Sequence, residues 1–244
     1  MRRIGAEQAR ETVDFGTASA QRRAPAIHRP RPTMADGDVS VDQLSALALA
    51  GSLAWASGIR LYATIFVVGL LGRLEYLHLP EPLLVLAHTW VLAASGIMVA
   101  GEFFADKVPG FDSVWDALHT FIRIPAGAFL AWGAMGDATP AVQTAAAILG
   151  GFVAGGTHLA KSGGRAVVNT SPEPLSNWTL SFGEDGLVLG GLFLAITHPV
   201  AFLVLLAAFL AIVIWLLPRL LRFLAALVQR LRGRDGDTVP MTRV

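Results

Sequence analysis

The sequence predicts an all-α membrane protein with six transmembrane helices and a C-terminal amphipathic interfacial helix, and its repeated strings allow a degenerate three-plus-three repeat. Three observations predict it. Apolar residues make up 54% of the 244 positions, and Asp, Glu, Lys and Arg only 15%, against about 25% in a soluble domain. The charge is pushed to the ends: seven of the 19 Lys/Arg lie in the first 31 residues and six follow Leu217. Between Leu44 and Leu217 only six basic and ten acidic residues remain among 174, which leaves apolar runs long enough to cross a bilayer.

Residues 1–40 hold no apolar run that could serve as a signal-peptide core. Their Arg22-Arg23-Ala24-Pro25 to Arg29-Pro30-Arg31-Pro32 stretch is basic and broken by proline, which predicts a disordered tail. Met34-Ala35-Asp36-Gly37 offers a second start just ahead of the first span.

The membrane domain is expected over 41–217. Its first span covers 44–71, and a continuous helix of that length, about 42 Å, exceeds a ~30 Å hydrocarbon core. Ser57-Gly58-Ile59-Arg60 is the natural break. The remaining spans are expected at 83–105, 114–135, 140–160, 178–196 and 201–217, with a polar connection from 161 to 177. After Pro218, Arg219, Arg222, Gln229 and Arg230 fall on one helical face and Leu220, Leu224, Leu227 and Leu231 on the other. That pattern predicts an interfacial helix over 218–234 whose arginines meet anionic headgroups, with a disordered tail at 235–244.

Basic residues set the expected orientation. The Arg-rich ends, Lys107, Lys161 and Arg165 fall on one side, so the positive-inside rule makes both termini cytoplasmic. Seventeen arginines against two lysines in an Ala-rich chain point to a GC-rich bacterial genome, and hence to the bacterial inner membrane. A formal charge of +1 gives no footing for nucleic acid, and the absence of cysteine excludes thiolate metal sites and cysteine nucleophiles. The expected partners are the bilayer, its anionic headgroups and a second copy of the chain.

Three strings occur twice in the same order. Ser57-Gly58-Ile59-Arg60 returns as Ser162-Gly163-Gly164-Arg165, Pro80-Glu81-Pro82-Leu83 as Pro172-Glu173-Pro174-Leu175, and Gly101-Glu102 as Gly183-Glu184. A duplication and a coincidence both fit. Inverted repeats with interrupted helices are a transporter architecture, although the predicted topology puts Glu102 and Glu184 on the same side.

Ionisable residues within apolar spans are functional by default. Arg60 sits mid-span and needs a carboxylate partner, for which Glu102 and the Glu184-Asp185 pair are the candidates. Arg165 and Asn177 complete the binding or transport set, together with Asp106. Glu102 and Asp106 are four apart, and so are Asp112 and Asp116 across a Pro-Gly turn. These four carboxylates are also the candidate ligands of a divalent cation. The alternative for Asp112 is an N-cap of the third helix, and for Arg60 a buried structural ion pair. The six histidines show no metal-ligand spacing, and His158 reads as a helix-end cap.

Ala56-Ser57-Gly58-Ile59-Arg60-Leu61-Tyr62, Glu102-Phe103-Phe104-Ala105-Asp106-Lys107, Phe121-Ile122-Arg123-Ile124-Pro125-Ala126-Gly127 and Asn169-Thr170-Ser171-Pro172-Glu173-Pro174 resemble a bacterial membrane-protein family, domain of unknown function 4126. The resemblance spans roughly 44–217 and implies a polytopic inner-membrane protein without implying an activity. Glu102…Asp106-Lys107 is also similar to the E-x-G-D-[KR]-[ST] signature of a cation/proton exchanger family, with an acid spacing of four rather than three. Asp112-x-x-x-Asp116 is similar to one Mg²⁺–diphosphate motif of intramembrane prenyltransferases, which carry a second motif that this chain lacks.

Three functions follow as expectations. The first is a small secondary transporter or channel for an ion or small solute. The second is a non-transporting scaffold or complex subunit whose charges are structural. The third is a divalent-metal-dependent intramembrane enzyme acting on a phosphate-bearing lipid.

Overall fold

The computed structural model describes residues 41–105, 111–168 and 174–234, and every regular element among them is helical. The elements are α1 (Val41–Arg73), a short 3-10 helix (Glu81–Ala87), α2 (Thr89–Ala105), α3 (Phe111–Ala134), α4 (Pro140–Val168), α5 (Pro174–Thr197) and α6 (Pro199–Arg234).

Helix α1 runs through the interior and breaks where the sequence predicts. At Arg60 the backbone leaves helical space (φ −140°, ψ 80°). The carbonyls just before the break therefore lose their intrahelical donors.

Small residues bring α1, α3 and α4 together. A Cβ on Gly127 would lie 2.3 Å from Ala154 Cβ, and one on Gly150 would lie 2.3 Å from Ala131 Cβ. A Cβ on Gly58 would meet Ala154 O at 2.5 Å. Helices α3 and α4 thus form an antiparallel hairpin, turned at Gly136 with φ +50°, and α1 lies against its glycine-lined seam. Such stripes let backbones approach where larger side chains would hold them apart. The core beneath is apolar, with Leu53, Ala54, Leu83, Leu130, Ala131, Val188 and Leu192 all buried.

Several boundaries depart from expectation. The second span is bent by 63° between the 3-10 helix and α2, because His88 between them is extended (φ −69°, ψ 138°). The expected polar connection from residue 161 does not begin there. Helix α4 continues to Val168, since Lys161 and Arg165 face buried carboxylates rather than water. No break separates the sixth span from the amphipathic segment, and α6 passes through Pro218 as one helix of 36 residues. Around that proline, Arg222 Nε donates to Pro218 O at 3.1 Å and Arg219 donates to Trp215 O.

The count of helices long and apolar enough to cross a membrane differs as well. Among the described residues three helices are long and apolar enough to cross a membrane, at Asp42–Arg73, Trp178–Thr197 and Pro199–Leu216. The bent pair Glu81–Ala87 and Thr89–Ala105 makes a fourth if it is one span. The sequence predicts six. Helices α3 and α4 have the length, at 24 and 29 residues, but not the apolarity. The one carries Asp116, His119 and Arg123, and the other Thr157, His158, Lys161 and Arg165. Those are the residues they turn inward.

Candidate functional site

Among the described residues the three largest fully buried side chains are arginines: Arg60, Arg123 and Arg165. An uncompensated buried charge is costly, so each must be paired. All three are, in one continuous network.

The network starts at Asp185 on α5. Its Oδ1 lies 2.9 Å from Arg60 Nε, and Glu184 Oε2 lies 3.6 Å from the same nitrogen. Arg60 Nη2 donates to the carbonyl and hydroxyl of Ser181, at 3.0 and 2.8 Å. Glu184 is gripped from its other side by Arg165, with Nε and Nη2 donating to its two oxygens at 3.0 and 2.7 Å. That bidentate geometry is the strong form of a carboxylate pair. Lys161 Nζ then spans two carboxylates, 3.5 Å from both Glu184 Oε2 and Asp116 Oδ1. Asp116 Oδ1 is 3.2 Å from Arg123 Nη2, which lies 2.6 Å from Glu102 Oε1. Among the described residues, four cations thus meet four carboxylates.

The break in α1 is held by the same cations. Arg123 Nη1 donates to Gly58 O and Ile59 O at 3.2 and 3.3 Å, and Lys161 Nζ donates to Ile59 O at 3.0 Å. The negative end of the first half of α1 therefore faces positive charge, the favourable sense for a helix C-terminus.

His158 is neutral in this arrangement. Arg123 Nη1 lies 3.0 Å from Nδ1, and a guanidinium can only donate, so Nδ1 carries a lone pair. Thr120 donates its hydroxyl proton to Asp116 O at 2.9 Å. Its oxygen, 2.7 Å from His158 Nε2, therefore accepts the Nε2 proton. The expected helix-end cap is instead an interior link between α3 and α4.

A cavity of about 290 Å³ opens beside the break. It is walled by Arg60, Ala63 and Val67 of α1, Val99, Glu102 and Phe103 of α2, and Asp185, Val188 and Leu189 of α5. Glu102 and Asp185 of the ion network both face it, and the Asp185 side chain is 34% exposed. A second cavity of about 360 Å³ between α1, α5 and α6, with Trp55, Gly190 and Phe209 in its wall, contains no titratable group.

Of the residues singled out in the sequence, Arg60, Glu102, Arg165, Glu184 and Asp185 meet in this network. Asp106 lies outside the described residues, as do the side chains of Asp112 and Asn177. Glu102 and Asp116 converge on the guanidinium of Arg123, at 2.6 and 3.2 Å from its Nη2. Among the described residues no group of three or more His, Asp or Glu is placed to hold a metal.

Sequence reasoning missed Arg123, Lys161, His158, Thr120 and Ser181 as site residues. The signal was present: His158, Lys161 and Arg165 recur at i, i+3 and i+7, one face of a helix.

The class defined by fold and site is a helical bundle with an interrupted central helix and a buried network of ion pairs. Within that class, the chain belongs to the family described as domain of unknown function (DUF4126), whose model matches residues 47–219. No curated protein and no solved structure matches it.

Proposed function

We propose that this protein is a membrane-embedded carrier or channel for a small ion or solute, with its site at the cavity beside the break in α1. The observation that carries the reading is the meeting of three features at Arg60: a discontinuous helix, a buried ion network and a cavity that reaches both. Carriers place their sites where interrupted helices expose backbone and charge within the apolar layer, and ionisable groups at such depth mark solute pathways.

The membrane is the bacterial inner membrane, with both termini cytoplasmic. Lys161 and Arg165 no longer bear on the orientation, because they are interior; the Arg-rich ends bear it instead. The α3–α4 hairpin returns the chain to the side it left, so α1, the bent pair, α5 and α6 bring the C-terminus back to the side of the N-terminus. Arg219 and Arg222 are exposed past the apolar part of α6, where anionic headgroups lie.

A second reading has its own support. Among the described residues every buried cation of the network faces a carboxylate, which suits a non-transporting component whose charges only lock the bundle. Purified protein in liposomes separates the two. The carrier reading expects uptake of at least one solute, from a panel of inorganic ions and small organic solutes, above that of protein-free vesicles. Asp185→Asn, at the partly exposed carboxylate that faces the cavity, should cut that uptake about tenfold, the scale of one charged hydrogen bond. Folded protein that moves nothing on the panel leaves the structural reading.

A further inference from the structure

Asp116 is held differently from the other buried carboxylates of the network. It is 2% exposed, with Oδ1 3.2 Å from Arg123 Nη2 and 3.5 Å from Lys161 Nζ. Yet neither of its oxygens accepts a hydrogen bond from any described residue. Glu184 accepts two from Arg165, and Glu102 accepts one from Arg123. The two cations beside Asp116 direct their N–H groups elsewhere. Arg123 Nη2 donates to Glu102, Nη1 to Gly58 O, Ile59 O and His158, and Lys161 Nζ to Ile59 O.

The same guanidinium has an unmet atom of its own. Arg123 is fully buried, and its Nε–H finds no acceptor among the described residues. Ser162 Oγ, next to Lys161 on α4, is a third buried polar atom without a hydrogen-bond partner among them. An unmet acceptor and an unmet donor thus sit on two groups that already touch, with a hydroxyl on the facing helix.

Buried polar atoms are met by protein or by ordered ligand or water, and each exception requires a reason. A proton on Asp116 would leave Arg123 Nε still without an acceptor. A halide ion would serve Arg123 and Ser162 but be repelled by the Asp116 carboxylate. Water donates to the one and accepts from the other, and three polar partners are the usual number for a buried water.

We infer that ordered water is bound between α3 and α4, donating to Asp116, accepting from Arg123 Nε and bonded to Ser162. It completes the shell of the guanidinium that holds the broken end of α1. The site is separate from the cavity at the break, whose wall includes Glu102 but neither Asp116 nor Arg123. It therefore stands whether or not the protein carries a solute.

The test is proton-detected NMR of the ¹⁵N-labelled full-length chain in lipid bilayers, reading magnetisation transferred from water to the Arg123 Nε–H. Through-bond connection to the Arg123 backbone assigns the signal. The exposed Arg73 side chain is the positive control, and the amide of Leu53, buried in the apolar core, the negative one. The expected result is transfer to Arg123 Nε–H, as at Arg73, and none to Leu53. Asp116→Leu, which removes the acceptor, should abolish it. Ser162→Ala, which removes one partner and no charge, should weaken it and covers the case in which Asp116→Leu does not fold. An Arg123 Nε–H as silent as Leu53 overturns the inference, and both the protonated carboxyl and the halide predict that silence. Transfer that is unchanged in every variant that folds overturns it as well.

Discussion

Arg123 and Glu102 lie 2.6 Å apart, Nη2 to Oε1, with side chains 0% and 1% exposed. The same guanidinium reaches Asp116, His158 and two carbonyls of the broken helix. Arg123→Met therefore strips charge or hydrogen-bond partners from four helices at once, its own among them. It is expected to cost about 3–5 kcal/mol, the range for breaking a buried pair from one side. Glu102→Gln keeps an acceptor facing Arg123 and should cost less. The double variant should be more stable than the sum of the two single losses predicts. Chemical unfolding in detergent measures all three.

The small-residue seam gives a matched pair of glycine substitutions. At Gly58 an added methyl would meet the Ala154 backbone oxygen at 2.5 Å and Thr157 Cβ at 2.8 Å, so α1 must move off the α3–α4 hairpin. Gly58→Ala should destabilise by about 1–3 kcal/mol. Gly190 on α5 has nothing within 4 Å of such a methyl. Gly190→Ala should be neutral, or stabilising by up to about 1 kcal/mol through helix propensity. Thermal unfolding of the two variants side by side checks the seam.

His158 is expected to be neutral, with its proton on Nε2, and ¹⁵N chemical shifts of labelled protein report that tautomer directly. A glutamine can also present one acceptor and one donor, so His158→Gln should stay within about 1 kcal/mol of the parent. His158→Leu leaves buried polar groups on Arg123 and Thr120 with one partner fewer, and should cost about 1–3 kcal/mol. Equal stability of the two variants would contradict the hydrogen-bond assignment.

Much of this organisation was legible in the residues, and the rest was hidden for physical reasons. The break at Arg60 could be read because Ser57-Gly58 interrupts an apolar run that is too long for one straight span. Arg60's partners could be narrowed to three carboxylates because few acids interrupt the apolar segments. The role of Arg123 was not legible, since Ile122-Arg123-Ile124 shows a charge in an apolar helix without showing which helix it faces. Lys161 and Arg165 were misread as a polar connection because hydropathy reports only local polarity. Their burial depends on Asp116 and Glu184, which are 45 and 19 residues distant from Lys161 and Arg165 respectively. The same long-range pairing is why α3 and α4 fall short of the apolarity expected of a span. The repeated strings place Arg60 and Arg165 on one shared partner, Glu184, at 3.6 and 2.7 Å. Glu102 is paired with Arg123 instead, so the two halves do not use their matching residues in matching ways.

The central claim is that the cavity at the break in α1 is a route for solute rather than a packing defect. The chain contains no cysteine, so single cysteines can be introduced without background. The most direct measurement is labelling of Ala63→Cys and Val67→Cys in intact membrane vesicles by a membrane-impermeant thiol reagent. Ala54→Cys, at a fully buried position, is the negative control and Tyr76→Cys, at an exposed one, the positive. A water-accessible cavity predicts labelling at 63 and 67 and none at 54. If 76 is labelled while 63 and 67 stay as silent as 54, the network is a dry structural lock and the carrier reading fails.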